Sequence, residues 1–293
     1  MRAVGEETRV STVTERPVNR PVIPSEAAEA VGADASFACA PERDVVYAER
    51  LEGGIEVVYL NQPRKKNALS GEMMTKLDAL LRAADVDDGV RVVVLRGAGD
   101  DFSSGGDLDQ GPALEPGPEG ARKTLRRYLA VVRTIRTMSK PVVAMVDGYA
   151  VGGAFALVCA SDLVCASERA LFVPAFCQIG IVPEMGMMKL LPDLVGPQRA
   201  KELLFFGGKI PALQLYDWGV VNRVFPTETL EADTLWFARQ LAGMPDASIH
   251  LTKNIMNALA DGNLEACLEA ESTASPFCTT TKAYAATMEK FAR

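Results

Sequence analysis

Three short stretches carry residues whose types and spacing can do chemistry. One is IVPEMGMMKLLPDLVG, residues 181–196, where Glu184 follows Pro183 and stands among Met185, Met187 and Met188. Burial in such company disfavours a charged carboxylate and raises its pKa, which suits a group that takes and returns a proton near neutrality. A glutamate after a proline equally fits the start of a helix, where the dipole favours an anion. The other two are glycine turns, FSSGGDLDQ at residues 102–110 and DGYAVGGAFAL at 147–157. Each follows an apolar run and precedes a helical pattern, so main-chain N–H groups can approach a ligand closely. Tight turn packing would ask for the same glycines. Neither turn has the GxGxxG spacing of a dinucleotide loop or the Lys-Ser/Thr of a P-loop. Two turns giving one N–H each would suit a carbonyl oxygen that gains negative charge.

Regular elements must position these residues. DVVYAERLEGGIEVVYLN reads as a hairpin turning at Gly53-Gly54, and SGEMMTKLDALLRAADV as a helix with Ser70 as its N-cap. VRVVVLRGAG is a buried strand ended by glycines. Residues 111–120 form a Pro/Gly loop, and ARKTLRRYLAVVRTIRTM a helix with apolar Leu125, Leu129, Val132 and Ile135 opposite a basic face. KPVVAMVDGYAVGGAFALVCASDLVCAS alternates strand, turn, helix and strand, PQRAKELLFFGGKI is a helix stopped by Gly207-Gly208, and the last third is helical. This is an α/β core with a helical C-terminal part. Residues 1–43, rich in Pro, Glu, Thr and Ala, read as a mobile extension, residues 44–240 as the core, and 241–293 as a C-terminal helical region.

Composition narrows the function classes. With 48% hydrophobic and 24% charged residues, the 293-residue chain can bury a sizeable core. A net charge of −7 argues against nucleic acid as the main partner. Six cysteines without a CxxC pair read as reduced thiols, and a single histidine, His250, leaves no classical zinc site and disfavours a Ser-His-Asp triad. The apolar run 141–160 contains Asp147 and three glycines and reads as strand, turn and helix rather than a membrane span. A cytoplasmic protein with neither metal nor redox cofactor is expected.

KPVVAMVDGYAVGGAFALVCASDLVCASERALF resembles the central signature of the crotonase superfamily, the enoyl-CoA hydratase/isomerase proteins. NQPRKKNALS at 61–70 matches their early CoA-binding segment, FSSGGDL their first oxyanion turn, and AYAATMEKF their closing helix. The resemblance covers residues 44–293. It implies a spiral of ββα repeats, an acyl-CoA thioester as ligand, and trimers or pairs of trimers assembled through the C-terminal region, which would also serve as a lid. Carried onto this chain, it makes the N–H groups of Gly106 and Gly153 the oxyanion donors. Lys65 and Lys66 fall where the family holds CoA phosphates, although an ordinary solvated loop would look the same. Ala68, Gly105, Asp107 and Leu108 are further substrate-binding positions that the resemblance implies, Asp107 also orienting its loop by hydrogen bonds, with Phe176 and Met187 lining an acyl pocket. Lys282 and Lys290 are further phosphate candidates, Asp109 a secondary acid, and His250 a packing or surface residue.

The two glutamates of the family's hydratases fall here on Ala156 and Phe176, both apolar, which argues against simple hydration. GIVPEMG instead resembles the Δ3-Δ2-enoyl-CoA isomerases with one acid after a proline. The resemblance thus implies that Glu184 moves a proton from C2 to C4 through a dienolate. Decarboxylation or an atypical hydration on the same enolate site, and a catalytically silent CoA-binding scaffold, are the alternatives.

Overall fold

The computed structural model describes residues 44–109 and 117–291. The proposed mobile extension at 1–43, Cys39 and most of the 111–120 loop lie outside the described residues. Strands β1 (Val46–Leu51) and β2 (Ile55–Leu60) form the expected antiparallel hairpin around Gly53 and Gly54, whose φ angles are 82° and 77°. From β2 the sheet continues in parallel through β3 (Val92–Gly97), β4 (Val142–Val146), β6 (Leu163–Ser167) and β9 (Arg223–Phe225). A second, three-stranded sheet runs β5-β7-β8, from β5 (Tyr149–Val151), β7 (Leu171–Val173) and β8 (Ile210–Pro211). The sequence shows β5, β7 and β8 poorly because two or three residues are too few for a period-2 pattern to register.

The central strands read as unbroken apolar runs because both of their faces are covered. On one face Val58, Leu60, Val93, Leu95, Val142 and Ala144 pack with helices α1 (Gly71–Val86), α2 (Gly117–Thr137) and α3 (Gly153–Ala160). On the other, Val57, Tyr59, Val92, Val94, Val143 and Met145 meet Leu235 and Ala238 of α7 (Leu230–Ala242). Alternation along each strand sends neighbours to opposite cores, and each large apolar side chain so buried contributes about 1.5–3 kcal/mol. Ser70 caps α1 as expected, its Oγ accepting the Met73 N–H at 3.1 Å.

Helices α4 (Met187–Val195), α5 (Pro197–Phe206) and α6 (Ala212–Asp217) follow β7, and Gly207 ends α5. The chain closes with α8 (Asp246–Ala260), α9 (Leu264–Cys278) and α10 (Lys282–Phe291). Arg133 and Arg136 of α2 reach Glu265 at 2.7 Å and Asp261 at 2.8 Å, so the basic face of α2 receives the start of α9. No helix among the described residues is long and apolar enough to cross a membrane.

Candidate active site

Strands β3 and β4 are parallel neighbours, so the turns that leave their C-terminal ends emerge on the same edge of the sheet. This brings the two glycine turns together. Ser103 N–H donates to the Tyr149 carbonyl at 2.9 Å, and Val151 N–H donates back to the Ser103 carbonyl at 3.1 Å. The approach leaves no room for side chains. A Cβ on Gly105, whose φ is 87°, would stand 2.6 Å from the Val151 carbonyl oxygen.

The amides beside Gly106 are engaged: Gly105 N–H donates to Ser103 Oγ and Asp107 N–H to the Leu69 carbonyl. The Gly106 N–H finds no acceptor among the described residues. Gly153 opens α3, where the first intrahelical bond runs from Ala156 N–H to the Gly152 carbonyl. The Gly153 N–H therefore lies in the unpaired first turn. Both glycines line one cavity of about 300 Å³.

Glu184 lines the same cavity. It sits on the loop before α4, not within a helix, because Met185 (φ 60°) and Gly186 (φ 79°) are both left-handed and Gly186 is the N-cap. The helix-start alternative for Glu184 is thereby removed. Part of its surface opens to the cavity, but the surrounding protein is deep enough that burial pushes the carboxyl up to about 7. The Ser275 hydroxyl, donating to Oε1, opposes that rise, and the nearby Glu271 carboxyl adds to it. Met185 packs at 1% exposure, and a Cβ on Gly153 would come within 2.8 Å of its sulfur, so the Glu184 loop rests directly against the second glycine turn.

Gly105, Asp107, Leu108 and Phe176 also line the cavity. Asp107 is committed elsewhere: its Oδ1 accepts the Asp109 N–H and its Oδ2 faces Lys65 Nζ at 3.4 Å. These contacts hold the loop in shape. Asp109 points outward and pairs with Lys65 at 2.9 Å. Lys65 and Lys66 lie outside the lining on an exposed turn, with Lys66 Nζ 3.3 Å from Asp101 and 5.1 Å from the Tyr149 ring centre. Ala68 is buried next to that turn.

Met187 requires a correction. It is fully buried in the core and is not part of the cavity lining, because the left-handed turn at 185–186 swings the first residue of α4 away; Met185 lines the cavity instead. Met188 is exposed, so the methionine cluster does not act as one surface. Ala156 is buried inside α3, and Phe176 fills the other position of the hydratase pair. His250 stands on α8 and Lys282 and Lys290 on α10, all outside the lining. Among the described residues no group of three His, Cys, Asp or Glu gathers as a metal site.

The sequence reading missed Tyr128, Ser275 and Tyr284 of the lining, and Glu271 behind it. Tyr128 is fixed by its hydroxyl, which donates to the Leu69 carbonyl at 2.7 Å. A signal for α9 existed. Its apolar stripe Leu264–Leu268 continues at helical spacing with Glu271, Ser272 and Ser275, all buried. Polar residues on the buried face of a helix mark partners that sequence spacing alone does not reveal.

Comparison with known proteins agrees with this architecture. The enoyl-CoA hydratase/isomerase family profile matches residues 50–292. A 4-chlorobenzoyl coenzyme A dehalogenase from Arthrobacter sp. is 37% identical over 74% of the chain and 80% of its own length. The 1,2-epoxyphenylacetyl-CoA isomerase of Escherichia coli is 33% identical over 75% of the chain and 85% of its own length. Enoyl-CoA delta isomerase 2 of Rattus norvegicus is 35% identical over 76% of the chain, which spans 57% of that protein. An enoyl-CoA hydratase structure from Mycobacterium avium subsp. paratuberculosis superposes with a TM-score of 0.77 at 28% identity, over 85% of this chain and 96% of the other.

Proposed function

The chain belongs to the enoyl-CoA hydratase/isomerase family, and within it we propose that this member moves a carbon–carbon double bond in an acyl-CoA, from the 3-enoyl to the 2-enoyl thioester. The observation that carries the reading is one deep, proton-hungry carboxyl, Glu184, in the cavity that two unpaired glycine amides also line.

The thioester oxygen lies between the Gly106 and Gly153 N–H groups. Ionised Glu184 removes a proton from C2, and the electron pair of the broken C–H bond moves into the thioester carbonyl, giving a dienolate conjugated with the double bond. The two amides stabilise the oxygen as it gains charge, a contribution of roughly 3–4 kcal/mol per donor in sites of this kind. Protonated Glu184 then delivers the same proton to C4. Atoms balance with no further reactant. A pKa of about 7 keeps the group basic enough to abstract the proton and acidic enough to return it.

Hydration finds less support. Adding water calls for an acid and a base together, while the cavity's only other carboxylate among the described residues, Asp107, is tied to its own loop. Dehalogenation, the activity named for the Arthrobacter relative, would with water as the incoming group need a second base to activate that water, and the chain's one histidine stands outside the lining. The test is turnover of 3-enoyl-CoA, 2-enoyl-CoA, a malonyl-type thioester and 4-chlorobenzoyl-CoA by the purified protein and by Glu184→Gln. Isomerisation alone is expected, falling about 10²–10⁴-fold in the variant. Unchanged turnover in the variant overturns the reading.

A further inference from the structure

Behind Glu184 stands a second acid that the mechanism leaves unused. Glu271, on α9, is wholly inaccessible to solvent. Its Oε2 accepts the Gly186 N–H at 2.9 Å and its Oε1 accepts the Cys267 thiol at 3.2 Å. Gly186 is the N-cap of α4, so an anion from another helix sits where the α4 dipole favours one. One turn further along α9, Ser275 donates to Glu184 itself. Helix α9 thus grips both ends of the tripeptide Glu184-Met185-Gly186. The middle residue, Met185, adopts a left-handed conformation at φ 60°, which a side chain with a Cβ adopts only under constraint from its surroundings.

From this arrangement we propose that Glu271 is a positioning residue for Glu184: it holds the strained turn that aims the base, and its charge adds to the penalty that burial places on ionising that base. The inference rests on Glu184 being the working group of the cavity.

The surroundings leave Glu271 as the main charge acting on Glu184. From α2, Tyr128 faces Glu184 with its hydroxyl committed to Leu69, and burial keeps its phenol protonated. From α10, Tyr284 is likewise held neutral by burial. Asp107 lies across the cavity with Lys65 beside it. Lys189 of α4 is paired with Asp193. Cys267 is held as a thiol by burial and by Glu271 itself. Glu271 is pushed up to about 7 by burial, against the pull of the Gly186 N–H and the Cys267 thiol. The two carboxyls therefore titrate in the same range and influence one another.

The experiment compares Glu271→Gln and Glu271→Leu with the unaltered protein. The Glu184 carboxyl is followed by ¹³C NMR titration, its signal assigned by its loss in Glu184→Gln, and kcat and KM are measured across pH. An amide at 271 can still accept the Gly186 N–H but carries no charge. The Glu184 midpoint and the acidic limb of kcat are expected to move together to lower pH in Glu271→Gln, with KM unchanged. Leucine removes the acceptor as well, and kcat is expected to fall about 10²-fold, the cost of an ångström-scale misplacement. An unmoved Glu184 midpoint in Glu271→Gln overturns the proposal, even if thermal stability drops, because a merely structural role would lower stability and leave the titration alone. Should Glu271→Leu fail to fold, Glu271→Gln is sufficient to decide. The NMR readout needs no turnover, so a shifted midpoint in a protein without isomerase activity would retain the positioning role and reject the proposed reaction.

Discussion

A base that must strip a proton from carbon and hand it back works against its own solvation. Water holds a glutamate near its ordinary value of 4.5, where it is a poor base for carbon acids. Glu184 is lifted to about 7 chiefly because burial penalises its charged form. That lift costs stability, with a definite sign. The folded protein holds the proton more tightly than the unfolded chain, so the cost is absent below pH 4.5 and complete above pH 7. Glu184→Gln should therefore unfold at higher denaturant concentration than the unaltered protein at about pH 8.5, by roughly 3 kcal/mol at most, and show little advantage at about pH 4.5. An equal difference at both values would mean that Glu184 is not raised. Ser275→Ala removes the hydroxyl that steadies the anion, so the acidic limb of turnover should move to higher pH. An unmoved limb would show that the Ser275 hydroxyl does not steady the anion. The sequence displayed Glu184 because a carboxylate among methionines is conspicuous. It did not display Ser275 and Glu271, which reach Glu184 and Gly186 from 91 and 85 residues away along the chain.

At the scale of elements, the site is made by adjacency of β3 and β4. Their apolar runs and the glycines that follow them were legible as strands and turns, because burial on both faces leaves a continuous hydrophobic signature. Parallel pairing, which places both turns at one edge, depends on the crossover helices and is not written in either strand. The same contrast separates the glycines. Gly105 has φ 87° and a carbonyl oxygen 2.6 Å from the place a Cβ would take, whereas Gly106 has nothing within 4 Å. Gly105→Ala should destabilise the fold by about 1–3 kcal/mol and abolish turnover, since the two turns must separate. Gly106→Ala should leave the melting temperature within a few degrees of the unaltered protein and keep its N–H available. Thermal melts and turnover of the two variants decide this. Equal effects would mean that the turns do not meet as described. Met187 was misread at this scale, because nothing in GIVPEMG announces two left-handed residues that rotate the start of α4 into the core.

At the scale of the whole molecule, α8 presents an unfinished surface. Lys253 is its one buried residue, docked by charge: its ammonium meets Asp162 at 2.7 Å and donates to the Lys140 carbonyl at 2.8 Å. Leu251, Ile255 and Leu259 follow one another at four-residue spacing with exposures of 60%, 58% and 80%, and Met256 stands beside them at 64%. An apolar stripe of this kind on a helix already fixed by its polar side is expected to be covered by further copies of this chain. Each such side chain, once buried, contributes about 1.5–3 kcal/mol, enough for a few of them to hold an assembly together. Helix α8 leads directly into α9, which carries Ser275 and Glu271, so loosening the assembly should reach the base through α9. Sedimentation at micromolar concentration should give a mass that is a multiple of 31.4 kDa. The double variant Ile255→Asp and Leu259→Asp should shift it toward the monomer and lower turnover in step. A monomeric unaltered protein would leave the stripe without its proposed partner, and a dissociated variant with full turnover would show that α9 holds Glu184 without help from neighbouring copies.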